Sequence, residues 1–301
     1  MKITIVEVGP RDGLQNERVS MAAADKIEFV NRLSAANLPV IEVTSFVHPK
    51  WVPQMADAAE VIAGITKRQG IRYTALVPNM AGLERAIAAG LSDVAVFVAA
   101  TETFSRRNIN KSIDESLVTC REVCEGAFAA GLRVRAYLST AFGCPFEGRV
   151  APERVAEVSA RLLDLGVYEV AVSDTIGIAH PGLVSRVLDA VLARIPVAQT
   201  ALHFHDTRGT ALANVLTALP FGISTFDASA GGLGGCPYAP GATGNLATED
   251  LIYMLEGLGH DTGVSLDRLS EASRFIATRL DHPLPSRYAQ AVAAPRKTAT
   301  A

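Results

Sequence analysis

Eight short runs rich in Val, Ile and Thr recur along this chain, at 3–8, 40–44, 72–77, 93–98, 133–139, 169–173, 201–205 and 224–228. The stretches between them, such as 23–36, 114–130, 152–165 and 181–194, carry apolar residues at spacings of three and four and often stop at a glycine. Strand then helix, repeated eight times in roughly 250 residues, is the length and order of a (β/α)8 barrel. A doubly wound sheet would more often have about five to seven strands and an early GxGxxG turn. The expected fold is therefore α/β, a (β/α)8 TIM barrel. Further helices are expected at 247–256 and 266–280, with a glycine-rich loop at 231–244 between them and the barrel.

A chain of 301 residues, 49% of them hydrophobic, buries a large core. One catalytic domain is expected over 1–290, with a disordered tail at 291–301. The formal charge of −3 and the scattered arginines form no basic stripe, which argues against nucleic acid and anionic membranes as partners and for a small molecule. No apolar stretch approaches the ~20 residues needed to span a bilayer, and residues 3–8 read as a core strand, not as a targeting segment. Cys120, Cys124, Cys144 and Cys236 contain no CxxC spacing, so reduced thiols and a cytoplasmic location are expected.

A barrel of this kind builds its active site at the C-terminal ends of its strands, where the eight βα loops converge. The chemically capable residues cluster there. Arg11 and Asp12 follow the first strand and Glu42 ends the second. Asp174 and Thr175 follow the sixth, His203 and His205 close the seventh, and Asp227 closes the eighth. Alternation along Leu202-His203-Phe204-His205 puts both imidazoles on one face, which makes half of a metal site. An Asp before Gly, as at Asp12-Gly13, commonly caps a turn. Two histidines across the barrel favour a ligand role instead, and Asn245 in the glycine-rich region offers a further oxygen.

Neutral imidazoles with a carboxylate and an amide oxygen suit an octahedral divalent ion, Mg²⁺ or Mn²⁺ before Zn²⁺ or Co²⁺. Arg11 cannot ligate a cation, but its fixed fork beside the metal suits a developing oxyanion. Glu42, at a strand end where burial opposes its charge, either pairs with a cation such as Arg11 or has a raised pKa useful for proton transfer. Cys236 is the one cysteine on the flexible loop, where a proton-transfer role suits it better than packing. Cys120 and Cys124, four apart on a presumed helix, read as packing residues.

These residues sit in longer strings. VGPRDGLQNE spans 8–17, IEVTSFVHPKWVPQM 41–55, SDTIG 173–177, HFHDTRGTALAN 203–214, and GLGGCPYAPGATGNLATED 232–250. Together they resemble the hydroxymethylglutaryl-CoA lyases, within the metal-dependent carbon–carbon lyase and synthase barrels, over nearly the whole chain. The resemblance implies a TIM barrel that cleaves 3-hydroxy-3-methylglutaryl-CoA to acetyl-CoA and acetoacetate. It implies that Asp12, His203, His205 and Asn245 hold the divalent cation and that Arg11 stabilises the enolate. Glu42, Asp174 and Cys236 would take part in the catalytic site, His203 or Asp12 would accept the hydroxyl proton, and Cys236 would protonate the enolate. It also implies an acyl-CoA thioester as partner and a homodimer. The departures Arg208, Thr210 and His48 spare all those positions and bear on substrate preference or on packing. Three readings compete with the lyase: a relative for a bulkier 3-alkyl substrate, a condensing synthase of the same group, and a hydrolase barrel. The last typically carries its His-x-His on the first strand.

Overall fold

Eight parallel strands close on themselves in sequence order, β1 pairing with both β2 and β8. They are β1 (Thr4–Glu7), β2 (Val40–Ser45), β3 (Arg72–Leu76), β4 (Asp93–Ala99), β5 (Arg133–Ser139), β6 (Val170–Asp174), β7 (Thr200–Phe204) and β8 (Thr225–Ala228). The computed structural model describes residues 1–235 and 244–293. Each strand lies within a residue or two of its expected run, because a β-branched strand buried on both faces leaves a continuous apolar signature.

Around the strands run α1 (Ala23–Ala35), α2 (Ala58–Gly64), α3 (Met80–Ala88), α4 (Glu102–Ile109), α5 (Ile113–Ala129), α6 (Pro152–Leu163), α7 (Pro181–Leu192), α8 (Ala211–Ala218), α9 (Thr248–Gly257), α10 (Leu266–Ala277) and α11 (Arg287–Ala293). The eighth crossover is completed late. α10 packs against both α9 and α1, so the helix ring closes only after the chain has passed through the glycine-rich segment. Residues 291–293, expected in the tail, finish α11; residues 294–301 lie outside the described residues. Among the described residues, no helix is long and apolar enough to cross a membrane.

The main apolar core lies between strands and helices, including Phe29, Leu33, Ile41, Val158, Val187 and Leu251. The barrel interior is different. Leu76, Ala95, Tyr137, Ala171 and Ala201 fill its middle, and Val6, Val8 and Val40 fill one side. Above and among them stand buried charged groups, which makes the interior partly polar.

Two further carboxylates are buried where β1 and β8 meet the later helices. Burial pushes Glu7 up to about 8 and Glu249 up to about 7, against the hydrogen bonds each accepts. Each holds its proton more tightly folded than unfolded. The stability this contributes is fully present below the ordinary value near 4.5 and is lost as pH rises through about 7 for Glu249 and about 8 for Glu7. Glu7→Gln and Glu249→Gln should therefore raise the melting temperature relative to the parent at pH 8, with the gain shrinking toward pH 4.5. Thermal unfolding across that range checks this, and a gain that grows on acidification would contradict it.

Candidate metal and active site

After β1 the chain winds through a wide π turn, Gly9–Gly13, in which the Val8 carbonyl accepts from the amides of Arg11 (3.1 Å), Asp12 (2.7 Å) and Gly13 (3.2 Å). The turn aims two adjacent side chains into the barrel mouth. Arg11 donates from Nε to Glu42 Oε2 and from Nη1 to Asp12 Oδ1, both at 2.5 Å. Its guanidinium also lies 5.4 Å over the Tyr137 ring. Burial alone would lower Arg11, but Glu42 and Asp12 raise it, so it stays charged. Burial would likewise raise Asp12, but the Arg11 guanidinium, with the two nearby imidazoles, outweighs that and holds the carboxylate far below its usual range. Glu42 is raised by burial, with Arg11 opposing. Of the two roles open to it, pairing with Arg11 is made at Oε2. Its Oε1 is buried and makes no hydrogen bond among the described residues.

His203 and His205 stand on one face at the end of β7, their ring centroids 5.2 Å apart. His203 Nε2 is 4.0 Å and His205 Nε2 3.7 Å from Asp12 Oδ2. At its other nitrogen, Nδ1, His203 meets Asp227 Oδ2 at 3.2 Å. A carboxylate there selects the tautomer whose Nε2 lone pair is free. Asp227 is itself gripped by Arg135, at 2.7 Å from Nη2 and 3.1 Å from Nη1, and Arg135 Nε reaches Glu169 at 2.7 Å. Burial would raise Asp227, but Arg135 outweighs it and keeps the group ionised.

Asn245 reaches the same point from far along the chain. Residues 244–247 run as a short strip beside the end of β7, with bridges from His205 to Asn245 and from Ser229 to Ala247. Asn245 Nδ2 donates to Asp12 Oδ2 at 3.0 Å and to the Leu233 carbonyl at 3.1 Å, leaving Oδ1 buried and unpartnered among the described residues. Gly234, at φ +119°, lets the backbone pass close by, since a Cβ there would lie 2.9 Å from Asn245 Nδ2.

The donor set fits a divalent cation. Asp12, His203 and His205 place one ligand atom each within 4.8 Å of one another. The 4.0 and 3.7 Å gaps are too long for hydrogen bonds yet within twice the ~2.1 Å of a metal–ligand bond. The orphaned Asn245 oxygen suits a fourth position. Two buried arginines, Arg11 and Arg135, face four carboxylates, Asp12, Glu42, Glu169 and Asp227, an excess of negative charge that a divalent ion would offset.

Comparison with known proteins decides the family. The HMGL-like family model matches residues 2–276. The chain belongs to the HMGL-like family. The chain is 55% identical over 289 residues to the hydroxymethylglutaryl-CoA lyase of Bacillus subtilis, covering 96% of this chain and 97% of that one. The crystal structure of the Bacillus subtilis HMG-CoA lyase superposes with a TM-score of 0.96 at 54% identity, covering 97% of this chain and 98% of that one. An HMG-CoA lyase from Acinetobacter baumannii, in complex with coenzyme A and 3-methylmalate, matches with a TM-score of 0.92 at 39% identity, covering 100% of this chain and 97% of that one.

In this HMGL-like barrel, then, Arg11, Asp12, Glu42, His203, His205 and Asn245 converge as the sequence suggests. Asp174 ends β6 close enough for the two histidines to act on its charge, but its oxygens accept from the amides of Ile178 and Ala179, both at 2.9 Å. Through these bonds it also anchors the loop after β6. Cys236, with the poor loop order expected around it, lies outside the described residues. Arg208 donates to the carbonyls of Ile176 and Gly177, and Thr210 to that of Ala179, so both departures bind neighbouring loops together. His48 Nδ1 accepts from the Lys50 amide in an exposed turn.

Sequence reasoning missed Tyr137, Arg135 and Glu169. The signal was there: Arg133, Arg135 and Tyr137 alternate along a strand bounded by apolar residues, and an arginine on a barrel strand must be paired inside. Arg135 is 1% exposed. Removing it leaves Asp227 and Glu169 without their cation, so Arg135→Met should cost about 3–5 kcal/mol. Urea unfolding at neutral pH reads this, and a loss below about 1 kcal/mol, the worth of a surface pair, would contradict the pairing.

Proposed function

We propose that the site cleaves the C2–C3 bond of 3-hydroxy-3-methylglutaryl-CoA, giving acetoacetate and acetyl-CoA, with a divalent cation held by Asp12, His203, His205 and Asn245. The observation that carries this is the convergence of a carboxylate, two imidazoles and an unpartnered amide oxygen beside a buried arginine. Near 55% identity to a hydroxymethylglutaryl-CoA lyase, over nearly the full length of both chains, supports the reaction. The enzyme is thus a carbon–carbon lyase acting on an acyl-CoA thioester.

The reaction is a retro-aldol-type cleavage. The C3 hydroxyl loses its proton, the C2–C3 bond breaks, and the electron pair passes to the thioester as an enolate, which takes up a proton at carbon. Mg²⁺ or Mn²⁺ held by Asp12, His203, His205 and Asn245 would supply Lewis acidity, lowering the pKa of the substrate hydroxyl. The chain's own residues supply the rest. Arg11 has Nε and Nη1 committed to Glu42 and Asp12, which leaves Nη2 to donate to the enolate oxygen. The two carboxylates hold the guanidinium rigid, so little reorganisation accompanies charge development. Asp12, kept ionised by Arg11, is a poor proton acceptor. His203 is no freer, with Nδ1 facing Asp227 and Nε2 proposed for the cation, so Glu42, raised by burial and with Oε1 unpartnered among the described residues, is the better-placed acceptor of the hydroxyl proton. Cys236 is the proposed donor to the enolate carbon.

Free Cys120, Cys124 and Cys144 support a reducing, cytoplasmic setting. A homodimer is the proposed assembly, and the barrel with its C-terminal helices is proposed to act as one catalytic domain.

The test is release of acetoacetate and acetyl-CoA from 3-hydroxy-3-methylglutaryl-CoA after chelation, with and without added Mg²⁺ or Mn²⁺. Metal-dependent release is expected. Silence from folded, metal-loaded protein would move the substrate to a bulkier 3-alkyl homologue. Asp12→Ala and His203→Ala should lose metal binding and turnover together. Arg11→Met should keep metal while lowering kcat by roughly 10²–10³-fold, the scale of one lost oxyanion donor. Near-normal turnover by Arg11→Met would refute the enolate role.

A further inference from the structure

We propose that Glu7 is a positioning residue of this site: its buried carboxylate ties the Arg11–Asp12 turn to the two segments that deliver the glycine-rich loop and Asn245. The assignment rests on the metal-site reading above. Glu7 ends β1 on its outer face, away from the inward Val6 and Val8, and is 0% exposed. Oε1 accepts from the Gly9 amide and the Ala230 amide, both at 2.8 Å, and Oε2 accepts from the Thr248 hydroxyl at 2.7 Å.

Each donor lies at the root of a functional segment. Gly9 begins the π turn that carries Arg11 and Asp12. Ala230 leads from β8 into the glycine-rich stretch. Thr248 begins α9, three residues after Asn245. The bonds close a circuit. From Glu7 it runs to Gly9 and through the turn to Asp12, crosses to Asn245 by a 3.0 Å bond, and returns through Thr248 to Glu7. Glu7 and the Asp12–Asn245 bond therefore tie the two proposed ligands to each other, beside the backbone bridges that hold 244–247 to β7 and Ser229.

A carboxylate is needed at this point because the strand ladder ends there. β1 and β8 pair from Thr4↔Thr225 to Glu7↔Ala228, and one more ladder bond joins the Val8 amide to the Ala228 carbonyl. Beyond it the chains diverge into the turn and the loop, and two amides lose their strand partners together. Glu7 Oε1 stands in for the missing carbonyl of both. The contact is close: a Cβ at Gly9 would lie 2.6 Å from Oε1 and 3.1 Å from Ser229 Oγ, so only glycine lets the turn settle on the carboxylate. Burial favours the neutral acid, which glutamine mimics in shape and in bonding.

Mn²⁺ titration of the chelated full chain, read by the free-ion EPR signal, tests this in the parent, Glu7→Gln, Glu7→Ala and Thr248→Val. Glu7→Gln keeps an acceptor for both amides and should bind Mn²⁺ within about threefold of the parent, the scale of one exchanged hydrogen bond. Glu7→Ala should bind roughly 10–100-fold more weakly, the range for loss of a group that orients metal ligands. Folded Glu7→Ala with affinity within about threefold of the parent would overturn the assignment. Should Glu7→Ala fail to fold, Thr248→Val decides, because it removes one bond of the circuit and no charge: weaker Mn²⁺ binding supports the assignment and unchanged binding overturns it. A parent chain that leaves Mn²⁺ free would instead overturn the metal reading itself, and this assignment with it.

Discussion

The Asp12 carboxylate is the point on which the site depends. One oxygen accepts from Arg11, and the other takes the Asn245 amide and faces both imidazoles. Shared in this way, a single side chain couples the group proposed to meet the enolate to the groups proposed to meet the metal. Arg11 holds Asp12 ionised, which is the state a cation ligand needs. Glu42 in turn fixes Arg11 from the far side. The position of the positive fork relative to the ligand cluster is therefore set by short, charge-assisted bonds, not by flexible packing.

This arrangement explains why the barrel interior is partly polar where a fold of this kind usually stacks branched apolar side chains. Two arginines and four carboxylates lie in it: Arg11, Asp12 and Glu42 toward the mouth, Arg135 level with Ala95 and reaching up to Asp227, and Glu169 on the side of Ala171 away from the mouth. Buried charge is costly unless it is paired, and here nearly every charged atom has a partner. At the site itself, Glu42 Oε1, His205 Nδ1 and Asn245 Oδ1 make no hydrogen bond among the described residues; elsewhere Arg72 Nη1 and Asp93 Oδ1, at the starts of β3 and β4, are among the others. Of the three at the site, Asn245 Oδ1 is a proposed cation ligand and Glu42 Oε1 the proposed proton acceptor, which gives both of them a use. Beneath them, Arg135, Asp227 and His203 form a rigid column that keeps one imidazole nitrogen free.

Much of this was legible in the sequence, for identifiable reasons. The eight strands announced themselves through continuous β-branched runs, and the period of two fixed the common face of His203 and His205 before any coordinates. Asp12 and Arg11 were legible because a polar pair directly after a core strand has a defined place in a barrel. Asn245 was legible through its motif alone; no local pattern shows that residues 244–247 would lie beside the end of β7. Other features were hidden by their physics. α4 has a polar sequence with only Phe104 and Ser105 buried, too weak an apolar stripe to read beside α5. Glu7 looked like an ordinary strand-end residue, since its value lies in three donors that arrive from positions 9, 230 and 248. Asp174 sat in a telling motif, but that its oxygens also accept from two backbone amides is revealed only by the turn geometry.

The most direct test of this account is nitrogen ENDOR spectroscopy of the chelated full chain reloaded with one equivalent of Mn²⁺. Two distinct histidine nitrogen couplings are expected, with one lost in His205→Ala, because both imidazoles face the same Asp12 oxygen. A parent spectrum showing one such coupling or none would contradict the shared site at the end of β7.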